Sequence, residues 1–279
     1  MAVPHDQVVA YINAAISVAI LRVNERAEEL FTSEIASSGN GTASPFQKLL
    51  FPEARIFSSF ERSLSASLGK AFDYIGAAIA KATYGNGEHD YKRSGMISSE
   101  VLAQIESIVR SYRARGGKPP DTTQELIEIR LTMQGSVPTL QREIKSDVFF
   151  VDHEGIENYL EIKTAMPNYD QGAAIKTRIL TIHAMCEQAG RPARALVVFP
   201  HNPNGLIGEY AWPPTRYFLD PRCDWFAKGR KLMGPGLWNF IGDSDDTYEE
   251  LMDCFYEVSL ARRSQLFELL KITQGATSI

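Results

Sequence analysis

The stretch Asp147-Val148-Phe149-Phe150-Val151-Asp152-His153-Glu154-Gly155-Ile156-Glu157-Asn158-Tyr159-Leu160-Glu161-Ile162-Lys163 consists of two apolar runs around a short polar segment that contains a glycine. Val148 to Val151 and Tyr159 to Ile162 carry the branched and aromatic residues of strands, and Asp152 to Gly155 reads as a turn, so a β-hairpin is expected. If residue 152 pairs with 156, then 147 pairs with 161. Directly opposed side chains sit about 4.5 to 5.5 Å apart on one face, and Lys163 joins Glu161 there because side chains alternate with period two. A slip of a single residue would scatter the three groups.

Two neighbouring carboxylates are a ligand set for Mg²⁺, which takes oxygen ligands and completes its shell with water and phosphate oxygens. A lysine beside them can stabilise charge on a phosphoryl centre or, with a lowered pKa, help to deprotonate a water that the metal has acidified. The residues leave both lysine roles open. About one acid-x-Lys triplet is expected by chance from 34 acidic residues and 11 lysines in 279 positions, and three occur. Asp90-Tyr91-Lys92 lies in a stretch rich in Gly, Asn, His and Asp that reads as a loop, and Glu143-Ile144-Lys145 lacks an acidic partner on a preceding strand. Only Glu161-Ile162-Lys163 has the hairpin context, where a salt-bridged surface hairpin is the non-catalytic alternative.

The composition, 44% hydrophobic and 23% charged, is that of a globular enzyme with room for a sizeable core. A net charge of -5 gives no global attraction to nucleic acid, so binding would rest on local basic patches. Arg110, Arg113, Arg115 and Lys118 form one candidate, and Lys228, Arg230 and Lys231 another, each also readable as a solvated helix end or loop. Cys186, Cys223 and Cys254 are odd in number and widely spaced, which disfavours a disulfide framework or a zinc site and suits a reducing cytoplasm. The apolar stretch Val8 to Val23 is interrupted by Asn13 and Arg22 and reads as an amphipathic core helix, too short to span a bilayer.

Helical periodicity covers residues 5 to about 31 and 54 to about 83, with Phe57, Phe60, Leu64, Leu68, Phe72, Ile75 and Ile79 recurring every three or four positions in the second. Ser37 to Thr42 between them is a loop. A third helix starts near Ser98 or Ser99 and ends by Gly116-Gly117, so residues 1–118 are expected to be mainly helical. Leu126 to Met133 is ambiguous. After the hairpin come a helix from about Asp170 to Ala189 and a buried strand at Leu196 to Phe199, an α/β order. His201 to Gly242 is rich in Pro, Gly and aromatic residues, and Asp246 to about Thr273 returns to helix. The expectation is a single domain over 1–279, with a catalytic core at 119–200 and recognition loops and a C-terminal helix at 201–279.

Ser146-Asp147 followed by Glu161-Ile162-Lys163-Thr164 resembles the PD-(D/E)xK phosphodiesterase fold of type II restriction endonucleases, with Ser146 in place of the proline. Glu161 to Asn168 looks like the Glu-x-Lys-Thr-x-x-Pro-Asn signature of the TdeIII-like enzymes, Phe60 to Gly69 is similar to their N-terminal helix motif, and Gly236 to Gly242 with Thr247 to Leu251 to their C-terminal motif. The resemblance runs patchily from about residue 57 to 258. It implies an α/β fold with a mixed sheet flanked by helices and an N-terminal helical region. Asp147 and Glu161 would be metal ligands, with the Ile162 carbonyl a third, and Lys163 the catalytic lysine. Glu61 would be an auxiliary acidic residue, with Ser65 and Gly69 at i+4 and i+8 permitting close approach to the sheet. It further implies Mg²⁺, a short palindromic double-stranded DNA site of GGNCC type, 5′-phosphate ends, and a homodimer whose symmetry matches the palindrome.

Groove readout needs Arg or Lys for guanine and Asn or Gln for adenine. Arg222, Lys228, Arg230 and Lys231, interleaved with Trp225 and Phe226, supply candidates, and Lys145, Thr164 and Asn168 lie close to the catalytic triplet in sequence. A packed loop with snorkelling basic ends and a Pro-Asn turn are their structural alternatives. His183 and Cys186 read as a core pair. No phosphate-binding loop, dinucleotide fingerprint or nucleophile elbow is present, so no nucleotide cofactor is expected. A nuclease of the same fold that reads branched DNA, and a non-enzymatic helical interaction protein, are the rival functions.

Overall fold

The computed structural model describes residues 2–32, 52–113, 119–163, 166–205, 208–210 and 217–275. Helices α1 (His5–Thr32) and α2 (Pro52–Tyr84) precede strand β1 (Glu88–Ile97), helices α3 (Ser99–Arg113) and α4 (Thr122–Gln134), and strands β2 (Leu140–Val151) and β3 (Glu157–Ile162). Helix α5 (Tyr169–Gln188), strand β4 (Ala193–Val198), the short strands β5 (Phe226–Ala227) and β6 (Arg230–Lys231), and helices α6 (Pro235–Gly242) and α7 (Thr247–Gly275) follow. Met1–Pro4 with Phe72–Glu250 form one compact unit, and His5–Ala71 with Leu251–Ile279 form another.

The larger unit is built on a four-stranded mixed sheet of order β1-β2-β3-β4. β1 and β3 both run antiparallel to β2, and β4 runs parallel to β3 through α5. The hairpin register pairs Val148 with Leu160 and Val151 with Glu157, and the Asp152 N–H donates to the Ile156 carbonyl at 3.0 Å. Gly155 makes the turn at φ +74°, a conformation that other residues enter at a cost. Phe149, Tyr159, Val197 and Phe199 pack with Ile175, Ile179 and Ile182 of α5 into one hydrophobic cluster. On the opposite face a methyl at Gly76 of α2 would lie 3.1 Å from Val148 Cγ2, so helix and sheet approach closely there.

The described part of residues 1–118 is mainly helical, but β1 takes Asp90-Tyr91-Lys92 into the sheet instead of the expected loop. Its polar residues lie on an edge strand and alternate between half-buried and exposed, so no apolar run marks it. Pairing of β1 with β2 passes from His89 opposite Val148 to Tyr91 opposite Ser146, skipping Asp90 and Asp147, and Asp90 sits at φ +53°. Ile144 and Phe149 pack against the same cluster although they stand five positions apart on the strand. A flat strand would send them to opposite faces, so the ladder is distorted where Asp147 sits.

Helix starts follow their caps. Ser98 Oγ accepts from the Val101 N–H, Asp121 caps α4 by accepting from the Gln124 N–H, and the ambiguous Leu126 to Met133 belongs to that helix. The segment after β4 covers its outer edge: Val197 N–H donates to the Asp224 carbonyl at 2.8 Å and Phe199 N–H to the Leu232 carbonyl at 3.0 Å.

In the smaller unit Ile16, Ile20 and Val23 of α1 meet Phe60 of α2, and Arg262 of α7 donates to Asn13 Oδ1 at 2.7 Å. His5–Glu25 is long and apolar enough to cross a membrane, so length does not exclude that use as the sequence reading held. The core-helix reading is supported by its buried stripe, Val8, Ile12, Ala15, Ala19 and Val23. The Ser37 to Thr42 loop and Arg115 and Lys118 lie outside the described residues.

Candidate active site

The hairpin register and the distortion of β2 bring three predicted groups together. Lys163 Nζ lies 2.7 Å from Glu161 Oε1 and 3.5 Å from Asp147 Oδ2, and the Ile162 N–H donates to Asp147 Oδ2 at 2.8 Å. Lys163 follows the end of β3, fixed by its own N–H to the Val198 carbonyl of β4 at 3.0 Å. Glu161 is the most deeply set of the three, with its side chain 6% exposed. Its second oxygen, Oε2, accepts from Arg178 Nη1 of α5.

Burial and the neighbouring Glu161 charge hold the Asp147 carboxyl above its usual range, against the opposing pull of Lys163 and the Ile162 N–H. Burial alone would lower the Lys163 ammonium, but Glu161 and Asp147 outweigh it and keep it above the ordinary lysine value. Asp147 Oδ1 has no hydrogen bond among the described residues. An uncommitted carboxylate oxygen on the half-buried Asp147, beside a second carboxylate, is a place where a hard divalent cation would be favoured.

The remaining predicted residues are more dispersed. Glu61 is exposed and belongs to the smaller unit. Among the described residues nothing lies within 4 Å of a methyl built at Gly69, which with Ser65 also belongs to the smaller unit; the close approach of α2 to the sheet is made at Gly76. Lys145 pairs with Asp90 at 2.8 Å. Asn168 caps α5, accepting from the Gln171 N–H at 2.9 Å while Gln171 closes the capping box. Thr164 lies outside the described residues.

In the 217–233 region Arg222 pairs with Asp220 at 3.1 Å, Arg230 with Asp245 at 2.6 Å, and Lys228 lies 3.9 Å from Asp152. Lys231 has no ion-pair partner among the described residues and, with Arg222, Trp225 and Phe226, lines a cavity of about 400 Å³.

The chain matches the family described as type II restriction endonuclease, HinfI, over residues 9–259. It belongs to the HinfI family of type II restriction endonucleases. Three type II restriction enzymes of Herpetosiphon aurantiacus are similar to it. HgiEI is 27% identical over 238 residues, covering 84% of this chain and 83% of that enzyme. HgiCII is 25% identical over 237 residues, covering 84% of each chain. HgiBI is 24% identical over 269 residues, covering 95% of each. The HinfI-family enzyme is thus a site-specific deoxyribonuclease of restriction-modification, and DNA is its substrate.

Sequence reasoning missed two basic residues of the HinfI-family enzyme, both on α5. Arg178 reaches Glu161, and Lys176, with no exposed side chain, sits 2.6 Å from Glu125 of α4 and 2.9 Å from Asp224. Asp224 also accepts from Thr122 Oγ1 at 2.8 Å, and Tyr112 Oη donates to Glu125. The available signal was two cations inside an apolar helix that carries Ile175, Ile179 and Ile182. A buried cation needs partners, but the acids of Lys176 lie about fifty residues away in both directions, and Arg178, half-exposed, reaches back 17 residues to Glu161.

Proposed function

We propose that this HinfI-family enzyme is a Mg²⁺-dependent endonuclease of PD-(D/E)xK type that cuts both strands of a short palindromic site. The observation that carries this reading is the convergence of Asp147, Glu161 and Lys163 at the end of β3, beside the pairing of Val148 with Leu160. Asp147, Glu161 and the Ile162 carbonyl would hold the metal, whose donor set is all oxygen. When bound it would lower the pKa of the attacking water and neutralise charge on the phosphate. The protein's own part is positional. The Ile162 N–H orients Asp147, Lys163 braces Glu161 and offers an ammonium to the phosphoryl oxygens, and the fixed β3-β4 pairing holds both in place. Hydrolysis in this sense leaves a 5′-phosphate and a 3′-hydroxyl.

The TdeIII-like motifs favour a GGNCC-like site, and a palindrome favours a homodimer with one centre per strand. Lys231, beside Trp225 and Phe226, is the leading candidate for groove contacts. Lys145, Arg222, Lys228 and Arg230 become available to DNA only by exchanging their acidic partners for phosphate. Thr164 and Asn168 would contact the scissile backbone, and Glu61 would be an auxiliary acid. Cys186, Cys223 and Cys254, none of them in a disulfide, suit the reducing cytoplasm in which restriction would operate.

Asp147→Ala and Glu161→Ala test the assignment. Each is expected to lower cleavage by at least about a thousandfold while leaving binding to duplex DNA in Ca²⁺ close to that of the unaltered enzyme. Normal cleavage by either variant would remove that residue from the metal site.

A further inference from the structure

A groove of about 360 Å³ runs between α3, β2 and α5, lined by Arg142, Ile144 and Lys145 of β2 and by Arg178 of α5. Arg178 also donates to Glu161 Oε2, which ties this inner end of the groove to the carboxylate pair. Arg142 is exposed and has no hydrogen-bond or ion-pair partner among the described residues. This separates it from Arg222, Lys228 and Arg230, each already facing a carboxylate. Two acids, Glu106 and Glu143, also line the groove, and Glu143 is balanced by Lys92 at 3.0 Å.

We propose that this groove is a track for the sugar-phosphate backbone of the cleaved strand, with Arg178 gripping it at the inner end and Arg142 at the outer end. The inference rests on the reading of Asp147, Glu161 and Lys163 as the catalytic centre. A guanidinium offers a planar fork that suits a phosphate. Arg142 stands five residues before Asp147 on the same strand, about 17 Å away at roughly 3.4 Å per residue, which puts it beside a phosphate a few nucleotides from the scissile one. Arg178 holds Glu161 Oε2 in the free enzyme. A cation held at that oxygen would free the guanidinium at the inner end of the groove, where an incoming phosphate would replace the lost carboxylate.

The test is binding of a fluorescein-labelled duplex of about 30 base pairs, measured by anisotropy in Ca²⁺ from about 50 to about 200 mM salt. Arg142→Ala is expected to bind about tenfold more weakly and to lower the slope of log K against log salt by about 0.9, the signature of one lost phosphate contact. Its thermal midpoint stays unchanged, because Arg142 has no partner to lose. Arg178→Ala loses a similar amount, and Arg178→Lys recovers the slope. Unchanged affinity and slope in both alanine variants would overturn the track while Asp147→Ala, still dead in cleavage, left the catalytic centre standing. Full cleavage by Asp147→Ala would instead remove the centre on which the track depends.

Discussion

At the scale of single residues, the arrangement around Glu161 is one of shared charge. Lys163 takes one carboxylate oxygen and Arg178 the other, while Asp147 is left with a backbone N–H and a longer contact to the same lysine. Lys163→Ala is therefore expected to bind Ca²⁺ nearly as well as the unaltered enzyme but to turn over at least about a hundredfold more slowly; single-turnover cleavage beside a calorimetric Ca²⁺ titration separates the two, and near-normal cleavage would take the lysine out of the mechanism. His183 gives a residue-level pH dependence. Burial, with help from Lys176, pushes its imidazole down to about 4. The unfolded chain then binds a proton that the folded chain refuses, so stability present above the unfolded value near 6.5 falls as pH drops toward 4. His183→Gln should flatten that part of the pH profile of the urea midpoint; an unaltered slope would show that other groups set it.

At the scale of elements, α5 links the β2-β3 hairpin to the segment after β4. Lys176 holds Glu125 of α4 and Asp224 beyond β4, and Asp224 in turn receives Val197 of β4 through its carbonyl. Replacing Lys176 with Met leaves two buried carboxylates uncompensated and is expected to cost about 3 to 5 kcal/mol, read as a fall in the denaturant midpoint; a loss under about 1 kcal/mol would mean that water already reaches the triad. Asn168→Ala removes the α5 cap and should cost about 1 kcal/mol by the same measurement. The hairpin was legible in the sequence because its signals are local: a polar turn with Gly155, alternating faces, and an acid on each strand in a register that the turn dictates. The long helices were legible from their apolar period. β1 was not, because an edge strand with polar side chains has no period to read and its Asp90 adopts a conformation unusual for its residue type. Arg178 and the Lys176 triad were not, because their partners are set by tertiary packing across residues far apart in the chain.

At the scale of the whole molecule, a family that carries out restriction, a two-carboxylate site with its lysine, and basic residues on the same unit converge on one activity. On the proposed palindromic site one centre per strand is expected, so sedimentation at micromolar concentration should give a mass near twice 31.1 kDa, and a monomer that cuts both strands in one encounter would refute the symmetric arrangement. The decisive measurement is digestion of unmethylated phage DNA by the purified protein, with Mg²⁺ in one arm and EDTA in the other, followed by sequencing of the fragment ends. Discrete fragments in the Mg²⁺ arm alone, with 5′-phosphate ends that share one short palindrome, are expected. Cutting that survives EDTA, or ends that share no sequence, would contradict a metal-dependent, site-specific centre at Asp147 and Glu161.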